Sequence, residues 1–123
     1  MTRSKERIRL TGEVFTPSEL VEFMLDQLPD EQWRNPERTF LDKSCGDGNF
    51  LVAVVRRKLL HGSTPLQALS TTYGVELMPD NVAECKRRLL EIVGDCQQHR
   101  EVVDHNIVCH DALTFDYWAP TLW

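Results

Sequence analysis

A chain of 123 residues, 41% of them hydrophobic and 27% charged, has the length and composition of one globular domain with one core. Its net charge of −5 excludes a surface that is basic throughout, as a general nucleic-acid footprint requires, and leaves room only for a local basic face. It has no run of about eighteen apolar residues and no signal-peptide pattern, so a cytoplasmic protein without a membrane segment is expected.

Residues 1–11 read as a basic arm in which Arg3, Lys5, Arg7 and Arg9 alternate with other residues, and residues 12–123 as the domain itself. The first helix has a full set of start signals: Thr16 as N-cap, Pro17 at the first helical position and Glu19 to close a capping box. Leu20, Met24, Leu25 and Leu28 form its apolar stripe, and Pro29 ends it. A polar connection over Asp30 to Arg38 leads to a strand at Thr39 to Leu41.

The stretch Phe40-Leu41-Asp42-Lys43-Ser44-Cys45-Gly46-Asp47-Gly48-Asn49-Phe50-Leu51 predicts a strand, a tight loop and a helix that runs to about His61 and stops at Gly62. Gly46 and Gly48 allow a sharp turn and a close approach of a ligand to the backbone. An ordinary strand-to-helix turn explains this stretch equally well on its own. Arg56, Arg57 and Lys58 read as a solvated helix face.

A short helical piece near Pro65 to Leu69 precedes a second strand over Thr71 to Glu76. Pro79 opens a helix over Asp80 to Val93, closed by Gly94. The last strand is Asn106 to Asp111, followed by an aromatic tail of Phe115, Tyr117, Trp118 and Trp123. Strands alternating with helices predict a parallel sheet. The cysteines, Cys45, Cys85, Cys96 and Cys109, are not closely spaced, so free thiols are expected. The histidines form no His-x-x-x-His pair, so no metal site is expected.

Each strand ends in an acid: Asp42, Glu76 and Asp111, at intervals of 34 and 35 residues. In a doubly wound sheet ligands sit at the carboxyl ends of the strands. An acid beyond a glycine loop suits the two hydroxyls of a ribose, and Glu76 holds that place. Asp111 is placed to accept from an exocyclic adenine amino group, with Leu77 and Leu113 offering apolar faces to the base. The chemistry is that of an adenosine-like cofactor.

Taken together, the ordered set resembles the adenine-specific DNA methyltransferases that use S-adenosylmethionine, including modification subunits of restriction systems. Val14-Phe15-Thr16-Pro17 looks like the family's N-terminal cofactor motif, and Asp42 to Phe50 like its Asp-Pro-x-x-Gly-x-Gly-x-Phe loop, with Lys43 in place of the usual Pro. Tyr73-Gly74-Val75-Glu76-Leu77 resembles the ribose-binding strand, and His110-Asp111-Ala112-Leu113 the adenine-binding strand end. The resemblance implies a partial doubly wound, Rossmann-like α/β fold with about three parallel strands and flanking helices. It implies S-adenosylmethionine as cofactor, held by Phe15, Thr16, Pro17, Asp42, Cys45, Gly46, Gly48, Phe50, Glu76, Leu77, Asp111, Ala112 and Leu113.

The family's catalytic motif, Asn or Asp followed by Pro-Pro and an aromatic residue, has no counterpart, because the sequence contains no Pro-Pro. No catalytic residue is therefore assigned. In the family the glycine-loop strand is central, whereas here it is expected at an open edge that needs a cover. A second copy, a protein partner, the aromatic tail or the N-terminal segment are the candidate covers, and DNA would be met weakly or through a partner. Three functions remain open: a cofactor-binding domain without self-sufficient catalysis, a split methyltransferase subunit active with a partner, and a non-catalytic interaction protein acting on a restriction-modification or other host complex.

Overall fold

A computed structural model describes residues 16–118. The elements are helix α1 (Ser18–Asp26), α2 (Glu31–Arg34), strand β1 (Phe40–Asp42), α3 (Asn49–Leu60), α4 (Pro65–Ser70), β2 (Thr72–Glu76), α5 (Pro79–Val93), α6 (Gln97–Asn106) and β3 (Ile107–Cys109). The strands form one parallel sheet in the order β1-β2-β3, with Asp42 beside Gly74 and Glu76 beside Cys109. Each crossover carries two helices, so the described residues make the expected partial Rossmann-like α/β arrangement. None of the described helices is long and apolar enough to cross a membrane.

The helices pack on the sheet face that carries Thr72, Gly74 and Ile107. Leu51, Val55, Ala68, Cys85, Leu89 and Ile107 share one buried cluster there. Gly74 is glycine because there is no space for more: a Cβ would stand 2.7 Å from Leu51 Cδ1 and 2.9 Å from Cys45 Sγ. On the opposite face, Leu41 and Tyr73 line an open groove of about 210 Å³ with Thr39 and Tyr117. The aromatic tail thus reaches this face, yet Leu41 stays 39% exposed.

Several expectations are corrected. Helix α1 starts one residue late: Pro17 is its N-cap, with ψ 148°, and no side chain caps it. Thr16 and Glu19 therefore form no box there. The box lies instead at Thr64, whose hydroxyl accepts from the Gln67 N–H while the Thr64 N–H donates to Gln67 Oε1. The buried positions of α1 are Val21 and Leu25, packed with Trp33, Ala53 and Val54, whereas Leu20, Met24 and Leu28 are exposed. The whole α1 sequence is apolar enough to supply two stripes, and the contact with α3 selects one of them. Residues 30–38 are not a plain connection, since α2 forms within them to bury Trp33.

Helix α6 was not expected, and Asn106 ends it rather than opening a strand. Its side-chain amide donates to the Leu69 carbonyl at 3.1 Å, tying α6 to α4. Strand β1 runs one residue later than expected, to Asp42. Strand β3 stops at Cys109, which leaves Asp111 in the loop beyond it. All four cysteines are free thiols.

Nor are Arg57 and Lys58 a solvated face. Arg57 bridges to Glu22 at 2.6 Å and Asp26 at 2.7 Å of α1. Lys58 is 1% exposed and donates to the carbonyls of Arg38 (2.9 Å) and Thr71 (3.2 Å) and to Thr71 Oγ1 (2.6 Å), clamping the chains that enter β1 and β2. Burial lowers its pKa to about 8. A lowered lysine pKa contributes stability that is fully present above the ordinary value of 10.5 and is lost as pH falls through 8. Urea unfolding from pH 7.5 to 10.5 should therefore show wild type gaining roughly 2 kcal/mol relative to Lys58→Met. Parallel pH profiles would contradict this account.

Candidate cofactor site

The site is built on the loop between β1 and α3. Asp42 ends β1, and its Oδ1 accepts from the Ser44 N–H at 3.0 Å, which turns the chain. The Cys45 N–H then donates to the Val75 carbonyl at 3.0 Å, and the Gly46 N–H to Glu76 Oε1 at 3.2 Å. The loop is thereby stitched to the end of β2. Gly46 and Gly48 have φ of 53° and 100°, in the left-handed region where a side chain is strained. Gly48 is the N-cap of α3 and no side chain caps this helix, so its first turn keeps unpaired donors of the kind that accept an anion.

Thr16, Asp42, the loop residues Ser44 to Asp47, and Asn49 and Phe50 of α3 enclose a cleft of about 80 Å³. Burial raises the Asp42 pKa; the Ser44 N–H opposes this, and the charge on Glu76 adds to it. Asp47 is 6% exposed, and its Oδ1 has no hydrogen-bond partner, although it lies 3.4 Å from the Arg88 guanidinium. The Cys45 side chain packs against Gly74. A hydrogen bond with the Cys85 thiol, together with burial, pushes its pKa far up, so it is no nucleophile.

Glu76, 7% exposed, is the best-bonded acid of the three. Besides Gly46, its carboxylate accepts from the Met78 N–H at 2.9 Å and Asn81 Nδ2 at 3.2 Å. The backbone joins the end of β3 to this point, because the His110 N–H donates to the Glu76 carbonyl at 2.9 Å. Asp111, which is exposed, accepts from the Leu113 N–H through Oδ1 at 2.9 Å, forming a side-chain turn. Leu77 and Leu113 are 55% and 94% exposed beyond the strand ends. The Ala112 carbonyl accepts from the Tyr117 hydroxyl at 3.0 Å, and Lys43 Nζ lies 4.8 Å from the Tyr117 ring centroid. The residue in the usual Pro position thus meets the tail.

A search of solved structures gives no match. The family description N-6 DNA Methylase matches residues 2–113. The chain belongs to that family. This N-6 DNA methylase chain is 31% identical over 106 residues to the Type II methyltransferase M.VspI of Vibrio sp. (strain 343). The match takes in 86% of this chain and 22% of that relative, so the chain spans about a fifth of the relative's length.

Within this N-6 DNA methylase chain the structure brings Thr16, Asp42, Cys45, Gly46 and Phe50 to one cleft, with Glu76 bonded to its rim. Pro17 lies beside it as the α1 N-cap. Asp111, Ala112 and Leu113 follow β3 at the same edge of the sheet, and Phe15 lies outside the described residues. At Gly48 helix α5 comes close, because a Cβ there would stand 2.9 Å from Cys85 Sγ. Sequence reasoning missed Ser44, Asp47, Asn49, Asn81 and Arg88. The polar residues around the glycines were a signal for the first three, whereas Arg88 acts from 41 residues away and offered none.

Proposed function

We propose that the chain binds S-adenosylmethionine at the carboxyl edge of its sheet and is the cofactor-binding part of an adenine-specific DNA methyltransferase that works in the cytoplasm. The observation that carries this reading is the Gly46–Glu76 hydrogen bond, which brings the glycine loop, its cleft and a strand-end acid together. The amino-acid end of the cofactor suits the cleft. There the Asp42 and Asp47 carboxylates can face its ammonium, and the first turn of α3 its carboxylate.

The ribose hydroxyls suit Glu76, which has accepted three bonds and keeps lone-pair capacity. Adenine would rest between Leu77 and Leu113, with its amino group donating to Asp111. The sequence has no Pro-Pro, so the groups that hold the target adenine are proposed to come from residues outside this sequence. A second copy or another protein would bring strands to the edge of β1 that no other described strand pairs, beside the groove lined by Leu41 and Tyr73. DNA would be met weakly or through that partner. A strictly monomeric chain by light scattering, with slow exchange of the Leu41 amide, would contradict the partner.

S-adenosylmethionine at a hundred times its Kd should raise the unfolding free energy by about 2.7 kcal/mol, read as a higher melting temperature. An unchanged melting temperature at millimolar cofactor would contradict the reading.

A further inference from the structure

Asn49 stands in the first turn of α3 but caps nothing. Its Oδ1 accepts from Arg88 Nη1 of α5 at 2.9 Å, and its Nδ2 donates to the Thr16 carbonyl at 2.9 Å. The same Arg88 nitrogen donates to the Asp47 carbonyl at 3.0 Å. The amide orientation is fixed by chemistry, because a guanidinium can only donate and a carbonyl can only accept. Turning the amide over would set donor against donor and acceptor against acceptor.

Thr16 and Asn49 both line the cleft, and Asn49 Nδ2 supplies the side-chain hydrogen bond that ties the Thr16 backbone to α3. We infer that Asn49 is a positioning residue: it joins Thr16 on one wall of the cleft to Arg88 behind the other, and so sets the cleft for the amino-acid end of the cofactor. Arg88 is the anchor of this relay, holding Asn49 and the glycine loop from a helix that does not line the cleft. The inference rests on the reading of this edge as the S-adenosylmethionine site.

The discriminating variant is Asn49→Asp, which keeps size and the acceptor for Arg88 but has no donor for Thr16 and sets a negative charge against its carbonyl. Two measurements are made well below the variant's own melting temperature. The first is amide exchange without ligand at Val21, whose N–H donates to the Pro17 carbonyl at 3.0 Å at the start of α1. The second is calorimetric affinity for S-adenosylmethionine and for 5′-methylthioadenosine, which has the ribose and adenine but no amino-acid end.

The expected result is roughly tenfold faster exchange at Val21, about tenfold weaker S-adenosylmethionine binding, and unchanged 5′-methylthioadenosine binding. Equal weakening of both ligands marks a general structural role and overturns the inference, as does wild-type behaviour in both measurements. If wild type binds neither ligand, the cofactor reading fails on its own. Exchange at Val21 then decides the relay alone: faster exchange supports the Asn49–Thr16 link, and unchanged exchange overturns it.

Discussion

Glu76→Ala is expected to lower the unfolding free energy by roughly 3 kcal/mol and to abolish measurable cofactor binding, the largest combined effect of any single substitution at the site. The carboxylate is buried and is the acceptor for the Gly46 and Met78 amides and for Asn81 Nδ2. Alanine leaves the Gly46 and Met78 amides without this acceptor where water has little access, and a stranded buried donor costs about 1–3 kcal/mol. The glycine loop also loses its tie to β2. Glu76→Gln keeps the shape but has one acceptor oxygen, so its amide group must face a donor, and an intermediate loss is expected. Urea unfolding beside calorimetry separates the two effects. Lost binding with unchanged stability would mean that the carboxylate serves the ligand alone, against the bonding described above.

The second large effect is expected at Gly48. Alanine there must hold φ near 100° and place its Cβ 2.9 Å from Cys85 Sγ and 3.3 Å from the Cys85 Cα. The backbone strain is about 1–2 kcal/mol and the overpacking about 1–3 kcal/mol, so a loss of roughly 3 kcal/mol is expected. Gly74→Ala should cost less, since its φ is ordinary and its nearest neighbour, Leu51 Cδ1, is the far end of a flexible side chain. Thermal unfolding of the two variants checks the ranking. A Gly48→Ala protein as stable as wild type would show that α5 does not press on the loop.

The parts of the fold that local chemistry dictates were legible in the sequence. Pro79 and Gly94 bound α5, Gly62 follows the end of α3, and β2 ends at Glu76, where the apolar run stops. What tertiary contact decides was not legible. The apolar pattern of α1 fits two faces, and only packing against Val54 and Trp33 selects Val21 and Leu25. Helix α6 has a polar sequence, Gln97 to Asn106, and depends on a few apolar positions such as Val103 to hold it against the core.

The same division runs through the site. Asp42, Gly46 and Glu76 were visible because turn chemistry and strand ends mark them. Arg88 was not, because its hydrogen bond to Asp47 spans 41 residues, and Asn81, five residues beyond Glu76, reads in the sequence as an ordinary residue of the first turn of α5. Glu76 illustrates the limit most clearly: its position points to a ribose, whereas its bonds show that it also holds the loop. An alanine variant therefore cannot by itself isolate a ligand contact.

The most direct test of the cofactor site is titration of the isotope-labelled chain with S-adenosylmethionine while backbone amide chemical shifts are followed. Saturable shifts are expected at Thr16, Asp42, Ser44 to Phe50, Glu76 to Met78 and Asp111 to Leu113, with α4 and α6 unmoved. Absence of shifts at millimolar cofactor, or shifts centred on the groove at Leu41 and Tyr73, would contradict it.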